Sequence, residues 1–159
     1  MITVHLTDSE IMICRFIASL RTMNCRASDV QQRYHATADD DITGVIGEYA
    51  FGKHFNLFMD ITVHPRKGGY DFIGRKNQTI DVKATHHLDG RLVTPIFKNE
   101  TACDLYVLAI VNEPMKHVLL IGYATKDEFI KDDNITNLGR GDCYVLGRDK
   151  LYLFTENTK

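Results

Sequence analysis

A chain of 159 residues with 44% hydrophobic and 25% charged side chains has the composition of one ordinary globular domain, large enough to bury a core without staples. The formal net charge of −2 excludes a uniformly positive surface, so a nucleic-acid partner would have to meet a local basic patch. Four scattered cysteines without a C-x-x-C pair, no apolar run of about 20 residues and no signal-peptide pattern predict an intracellular, cytoplasmic protein without membrane spans.

The first predicted element is a helix. Thr7 and Glu10 form a capping-box pattern, and apolar residues then recur at helical spacing, which predicts a helix from about Asp8 to Met23. The apolar positions of this helix are Ile13, Phe16, Ile17, Leu20 and Met23. The next segment, about 24–40, is polar and aperiodic, so we expect a long loop or a mobile arm there.

A second helix is predicted from Asp41 onward, because the apolar residues of DITGVIGEYAFGKHF again recur at helical spacing. Glu48 lies on the stripe next to the main apolar stripe of this helix. We therefore expect its carboxylate at the border of the buried face.

After the second helix the period of the apolar pattern changes from 3.6 to 2, which predicts a series of strands. The predicted strands are DITVH, YDFIG, TIDVKAT, RLVTPIF, DLYVLAIVN, HVLLIGYAT, DCYVLG and KLYLFT. TKDEFIKDD predicts a short capped helix, and the nearly continuous apolar run of DLYVLAIVN is typical of a sheet centre. This order predicts a single α+β domain in which helices flank a mixed central β-sheet.

Two of these strands carry charged residues among apolar ones. In TIDVKAT the alternation of side chains puts Asp81 and Lys83 on one face, and the preceding turn can bring Asp71 alongside Asp81. Two converging carboxylates repel each other unless a cation or a proton lies between them, and hard oxygen ligands are those that Mg²⁺ or Mn²⁺ prefers. A third acid, Glu48, reaches the pair if the second helix packs over the sheet. The pattern indicates a divalent metal site with an amine beside it.

A helix that carries Glu48, a strand that carries Asp71 and a next strand that carries Asp81-Val82-Lys83 resemble the PD-(D/E)XK nuclease superfamily, which has the restriction-endonuclease-like fold. The resemblance covers about Ile42 to Ala109. Tyr70 replaces the usual Pro before the strand aspartate, and the triplet begins with Asp rather than the more frequent Glu. Neither departure removes a ligand.

The resemblance implies a metal-dependent deoxyribonuclease, with an endonuclease favoured, that hydrolyses phosphodiester bonds. It implies that Asp71, Asp81 and the carbonyl of Val82 hold Mg²⁺, for which Mn²⁺ can substitute, and that Glu48 holds a second metal or an outer water. Lys83 would orient the attacking water or balance charge on phosphorus. Because two strands must be cut in a duplex or junction, the resemblance also makes a homodimer possible.

Three other interpretations of the same residues stay open. Asp81 and Lys83 can form a solvated cross-strand pair on an exposed hairpin. The chain can also be a catalytically silent nuclease-fold module that binds DNA, or an assembly protein. DNA contacts are expected from basic residues around the hairpin: Arg66, Lys67, Arg75, Lys76 and Arg91. Gln78, Thr85, His86 and His87 have polar side chains that either touch a DNA backbone or are simply solvated.

Overall fold

Three α-helices and eight β-strands are described in a computed structural model of the chain, which covers residues 1–27, 38–61, 69–96, 103–139 and 141–154. In chain order they are β1 (Ile2–His5), α1 (Asp8–Ala27), α2 (Ala38–Phe55), β2 (Phe72–Ile73), β3 (Thr79–Thr85), β4 (Leu92–Pro95), β5 (Leu105–Asn112), β6 (His117–Thr125), α3 (Lys126–Phe129), β7 (Ile135–Asn137) and β8 (Asp142–Leu146). Across these ranges, none of the helices has the length and apolar character needed to span a membrane.

The central sheet has five strands in the order β1-β6-β5-β3-β2. β5 is parallel to β3, whereas the other neighbouring strands are antiparallel, so the predicted mixed sheet and α+β class are confirmed. β5 lies in the middle, and its residues Tyr106–Val111 are buried. Alternation along β5 divides the core in two, since Val107 packs with the helices and Leu108 packs on the opposite face.

A second sheet, in the order β4-β8-β7, covers the face of the central sheet that α1 and α2 leave open. The predicted RLVTPIF strand forms within it as β4, which pairs with β8. Because β3 and β5 are parallel, the chain between them must cross over, and β4 lies in that crossover. The apolar pattern of β4 predicted a strand but did not indicate which sheet it joins.

α1 begins where its capping box predicts, with the Thr7 N–H donating to Glu10 Oε2 (2.8 Å) and the Glu10 N–H donating to Thr7 Oγ1 (3.2 Å). The predicted arm at 24–40 is wrong at both ends, because α1 continues to Ala27 and α2 begins at Ala38. The ten residues between them lie outside the described ranges.

The buried face of α1 also differs from the expected one. Three of the expected apolar positions are exposed: Ile13, Phe16 and Met23. Ile17 is buried as expected, and the core also receives Ile11, Cys14 and Ala18. Both sets recur at helical spacing, so periodicity alone does not separate two adjacent apolar stripes; packing against α2 selects the second one.

At the ends of the chain the sequence pattern is a weaker guide. β1 was not predicted, because four residues are too few to establish a period. The predicted KLYLFT strand is wrong: Tyr152 alone bridges to Tyr123, through backbone bonds of 2.9 and 2.8 Å. β7 was also missed. The predicted DITVH strand lies mostly outside the described residues, and its first two, Asp60 and Ile61, are irregular.

Candidate active site

Asp71 and Asp81 occupy opposite positions in the β2–β3 hairpin. Phe72 of β2 pairs with Ile80 of the antiparallel strand β3. Asp71, directly before β2, therefore lies opposite Asp81 of β3. The predicted turn that joins the strands is present, and Asn77 adopts a left-handed conformation in it (φ 58°). The structure therefore brings the two predicted carboxylates together, as the alternation in the sequence required.

Backbone hydrogen bonds hold Asp71 in place although it precedes β2. Its N–H donates to the carbonyl of Ile80 (2.8 Å), and its Oδ2 accepts from the N–H of Val82 (2.7 Å). The N–H and C=O of one strand residue point toward the same neighbouring strand, so the carbonyl of Val82 also faces this edge. The edge thus presents the carboxylate of Asp71 and the carbonyl oxygen of Val82 to one region.

Lys83 extends from β3 on the same face as Asp81, and its Nζ forms an ion pair with Asp81 Oδ2. Both side chains are largely buried, at 20% exposure for Lys83 and 12% for Asp81. A solvated pair on an exposed hairpin would be far more accessible than this. The expected sharing of one face is confirmed, and the burial disagrees with the open-hairpin interpretation.

Glu48 reaches the same region from α2, because α2 packs very close to the sheet. A Cβ atom on Gly47 would lie 2.5 Å from Cβ of Ala84 and 3.4 Å from Cβ of Ala109, so a residue without a side chain is needed at this contact. Glu48 itself is only 9% exposed. The expected position of Glu48 at the border of the buried face is confirmed.

Arg21 is a member of the site that the sequence analysis missed. Its Nη1 lies 2.8 Å from Glu48 Oε2, and its Nη2 donates to the carbonyl of Asp60 (2.9 Å). A signal was available, since Arg21 continues the buried stripe of Cys14, Ile17 and Ala18 at helical spacing. A cation on a buried stripe needs an acidic partner, and Glu48 is that partner.

The charges of the site do not balance. The pKa of Asp71 is raised from its ordinary value of 3.8 to about 8, first by burial and then by the nearby charges of Glu48 and Asp81. The hydrogen bond from Val82 and the charge of Lys83 act in the opposite direction. Three carboxyl groups therefore face two cations, Lys83 and Arg21, and Asp71 is the acid that takes up a proton near neutral pH.

Cys103 borders the same group of residues. Its thiol donates to the carbonyl of Gly69, and its N–H donates to the hydroxyl of Tyr106 (3.0 Å). Burial, together with the charge of Asp81, raises the pKa of the Cys103 thiol to about 12. The thiol is therefore protonated at neutral pH, in keeping with its expected place in the core.

The other residues proposed from the sequence differ in their burial and in their distance from the site. Thr85, at the end of β3, is partly buried and shares the face of Asp81 and Lys83, whereas His86 and His87 are exposed. Gln78 is half-buried in the β2–β3 connection, away from this face. The basic residues Arg75, Lys76 and Arg91 are exposed. Arg66 and Lys67 lie outside the described residues.

Within the described part of the chain, no three side chains of His, Cys, Asp or Glu are arranged as a group that could hold a metal ion. Two of the acids are already engaged in ion pairs: Lys83 contacts an oxygen of Asp81, and Arg21 contacts an oxygen of Glu48. The donor set of Asp71, Asp81 and the Val82 carbonyl nevertheless consists of the hard oxygens that Mg²⁺ and Mn²⁺ take. A cation in this set would also relieve the excess negative charge.

Comparison with known proteins gives a family but no activity. Residues 2–119 match a family of unknown function, DUF5843. The matched range includes both long helices, the β2–β3 hairpin and every residue of the site described above. No curated protein matches the chain.

Proposed function

Because the chain belongs to DUF5843, a family of unknown function, we propose its function from the site itself: a metal-dependent deoxyribonuclease that hydrolyses phosphodiester bonds, acting as an endonuclease. The observation that carries this proposal is the grouping of Asp71, Asp81 and Lys83 on one hairpin edge, with Glu48 of α2 close enough for its charge to act on Asp71. This grouping is the one that resembles the PD-(D/E)XK nucleases.

The charge of the site supports a divalent cation as its cofactor. Burial and two neighbouring acids raise the pKa of Asp71 to about 8, so its ionised form is unfavourable in the folded chain. A bound cation would stabilise that ionised form. Asp71, Asp81 and the carbonyl of Val82 would hold Mg²⁺, and Glu48 would hold an outer water or a second ion. When bound, such an ion polarises a phosphate oxygen and supplies a water of lowered pKa.

The side chains then have separate tasks. Asp71 and Asp81 would hold the cation, and the hairpin fixes where these two carboxylates lie. Lys83, released from part of its ion pair with Asp81, orients the attacking water and offsets the negative charge that builds on phosphorus. Arg21 forms an ion pair with Glu48 and so restrains the position of its carboxylate. Little covalent chemistry falls to the protein, so positioning and electrostatics must supply the acceleration.

The positions of the basic residues favour a polymeric phosphodiester over a small one. Arg75 and Lys76 lie on the turn before β3. Arg91 lies in the connection that follows β3, directly before β4. Seven residues of strand at roughly 3.3 Å each separate these groups by about 20 Å, with Asp81 and Lys83 between them. A DNA backbone that passes over the hairpin would meet cations on both sides of the site.

Two other functions are alternatives to hydrolysis. The chain would be either a catalytically silent module that binds DNA or an assembly protein that does not bind DNA. Glu48, Asp71, Asp81 and Lys83 are all present and grouped, whereas a silent module has no need of the last two together. This intact set makes hydrolysis the better proposal.

The test is a cleavage assay on supercoiled, linear duplex, single-stranded and four-way-junction DNA, with Mg²⁺, Mn²⁺ or EDTA. We expect cleavage of at least one substrate by the wild type with either metal, and none in EDTA. Asp81→Asn should abolish cleavage and, in calorimetry, the binding of Mn²⁺. Asp127→Asn, an exposed control on α3, should match the wild type in both measurements. DNA binding without cleavage would indicate the silent module, and neither binding nor cleavage would indicate the assembly protein.

A further inference from the structure

A cleft of about 390 Å³ opens beside the candidate active site and shares Lys83 with it. It follows the end of β3 toward the connection to β4. The residues that line it are Lys83, Ala84, Thr85, His87, Asp89, Gly90, Arg91, Val93 and Leu108. Lys83, Thr85 and Leu108 belong to the face of the central sheet that also carries Asp81, so the cleft and the site open on the same side.

From this cleft we infer that the substrate enters with one unpaired nucleotide, next to the scissile phosphate, held between β3 and the β3–β4 connection. This inference rests on the proposed nuclease function and adds a substrate class to it: single-stranded DNA, or a branched or frayed end, in preference to continuous duplex. The volume, the lining and the shape of the cleft each support this occupant.

The size of the cleft suits an occupant as large as one nucleotide. Its volume of about 390 Å³ lies in the lower part of the range of roughly 300–1,000 Å³ that is usual for small-ligand sites. Thr85 lies two strand residues beyond Lys83, roughly 6.6 Å away at 3.3 Å per residue. That step is comparable to the distance between successive phosphates of an extended single strand.

The lining separates phosphate chemistry from base chemistry. Lys83 and Arg91 provide two cations, and Thr85 and His87 provide further donors, which suits a phosphate and a sugar. Val93 and Leu108 form an apolar wall against which the face of a base can pack. Asp89 is the one carboxylate among the described residues of the lining, and it can accept a hydrogen bond from an exocyclic amino group of a base.

The loop that closes the cleft is already ordered by its own bonds. The His87 N–H donates to Thr85 Oγ1 (3.2 Å), the Gly90 N–H donates to the His87 carbonyl (2.9 Å), and Arg148 Nη1 donates to the Leu88 carbonyl (2.7 Å). A Cβ atom on Gly90 would lie 2.4 Å from Cγ2 of Thr85, so this tight closure needs glycine. A concave, preformed pocket can receive a base only after that base leaves the helical stack.

The test measures binding in EDTA, where no cleavage occurs, by fluorescence anisotropy with a labelled single strand and with the matched duplex. We expect the wild type to bind the single strand more tightly. Arg91→Ala should weaken single-strand binding about tenfold and duplex binding by a clearly smaller factor, because a duplex loses only a backbone contact. Arg15→Ala is the matched control, because Arg15 is exposed on α1, which packs on the opposite face of the central sheet.

A second readout uses a single strand with 2-aminopurine at successive positions, because this base brightens when it is unstacked. One position should brighten on binding to the wild type and not on binding to Val93→Phe, which fills the cleft; thermal melting verifies that this variant is folded. Equal affinity for duplex and single strand, or an equal loss with both for Arg91→Ala, would overturn the cleft assignment even if duplex DNA is cleaved. Single-strand preference without any metal-dependent cleavage would instead leave the cleft standing and remove the nuclease.

Discussion

At the scale of single residues, the site is an acidic group whose charges are only partly compensated. Asp81 is paired with Lys83 and Glu48 with Arg21, while Asp71 accepts one backbone hydrogen bond from Val82. Such a group is unfavourable in an isolated domain, because a buried carboxylate costs free energy when its neighbours are also acids. The uncompensated negative charge lowers the stability of the folded chain, and a bound cation would raise that stability.

This excess of charge predicts how stability depends on pH. The pKa of Asp71 is about 8 in the folded chain and 3.8 in the ordinary case, so between these values the folded state binds a proton that the unfolded state has lost. In EDTA, the free energy of unfolding should therefore fall as pH rises from about 4 to about 8, by up to about 1.4 kcal/mol per pH unit, and then level off.

Asp71→Asn isolates this contribution, since the amide oxygen can still accept the hydrogen bond from Val82. Urea unfolding of both proteins at several pH values gives the difference between them. The variant should gain stability relative to the wild type as pH rises through this window. A difference that stays constant from pH 4 to pH 8 would show that Asp71 is ionised throughout and that its charge is compensated.

Residue patterns also determine how much of this site is predictable from the sequence. Asp81 and Lys83 were placed on one face because a strand has a period of two and β3 has no irregularity to shift it. The approach of Asp71 followed from a short turn that fixes the hairpin register. Arg21 did not follow, because its partner is 27 residues away and only the packing of α1 on α2 brings them together.

At the scale of elements, the position of Glu48 depends on the close contact between α2 and the sheet. Gly47 permits this contact, and Gly44, one turn earlier, has no atom within 4 Å of the place where its Cβ would lie. The two glycines of one helix therefore give a matched comparison of a packed and an open position.

Gly47→Ala should destabilise the fold by about 1–3 kcal/mol, because the added methyl group must push α2 away from Ala84. It should also lower cleavage more than the loss of folded protein accounts for, since Glu48 moves with the helix. Gly44→Ala should be neutral or stabilising by up to about 1 kcal/mol, through helix propensity alone. Urea unfolding measures both changes. Equal stabilities for the two variants would mean that α2 does not approach β3 as closely as described.

Element prediction succeeded where a segment was long and strongly periodic. β3, β5 and β6 appear at the expected places, and so does α1 with its capping box. It failed for short or ambiguous segments: β1 and β7 contain too few residues to show a period, and α1 has two apolar stripes. The assignment of β4 to a second sheet was not predictable, because strand pattern carries no information on the partner strand.

At the scale of the whole molecule, the net charge of −2 gives no general attraction for DNA. The proposed binding of DNA therefore depends on a local arrangement of cations. Arg75 and Lys76 at one end of β3 and Arg91 beyond the other provide such an arrangement among the described residues. Neutralisation of phosphates by these groups releases counterions, so the affinity should fall steeply between low and physiological salt.

This prediction is measured from the slope of log affinity against log salt concentration. Each phosphate contact contributes about −0.7 to the slope for single strands and about −0.9 for duplex. Arg75→Ala should make the slope shallower by about one contact, whereas Arg15→Ala on the opposite face should leave it unchanged. An affinity that does not vary with salt would exclude the proposed track along the hairpin.

The central claim is that these grouped residues perform hydrolysis, and Lys83→Ala tests it most directly. Single-turnover cleavage with Mg²⁺ at saturating protein should be at least 100-fold slower than in the wild type, equivalent to about 2.7 kcal/mol of transition-state stabilisation, whereas DNA affinity in EDTA should fall by no more than about tenfold, the loss of one phosphate contact in the cleft. Metal affinity should not weaken, because the variant removes a cation from beside Asp81. Lys126→Ala, an exposed control on α3, should cleave at the wild-type rate. Equal cleavage by the Lys83→Ala variant and the wild type would contradict the account, since the reaction would then occur at another centre.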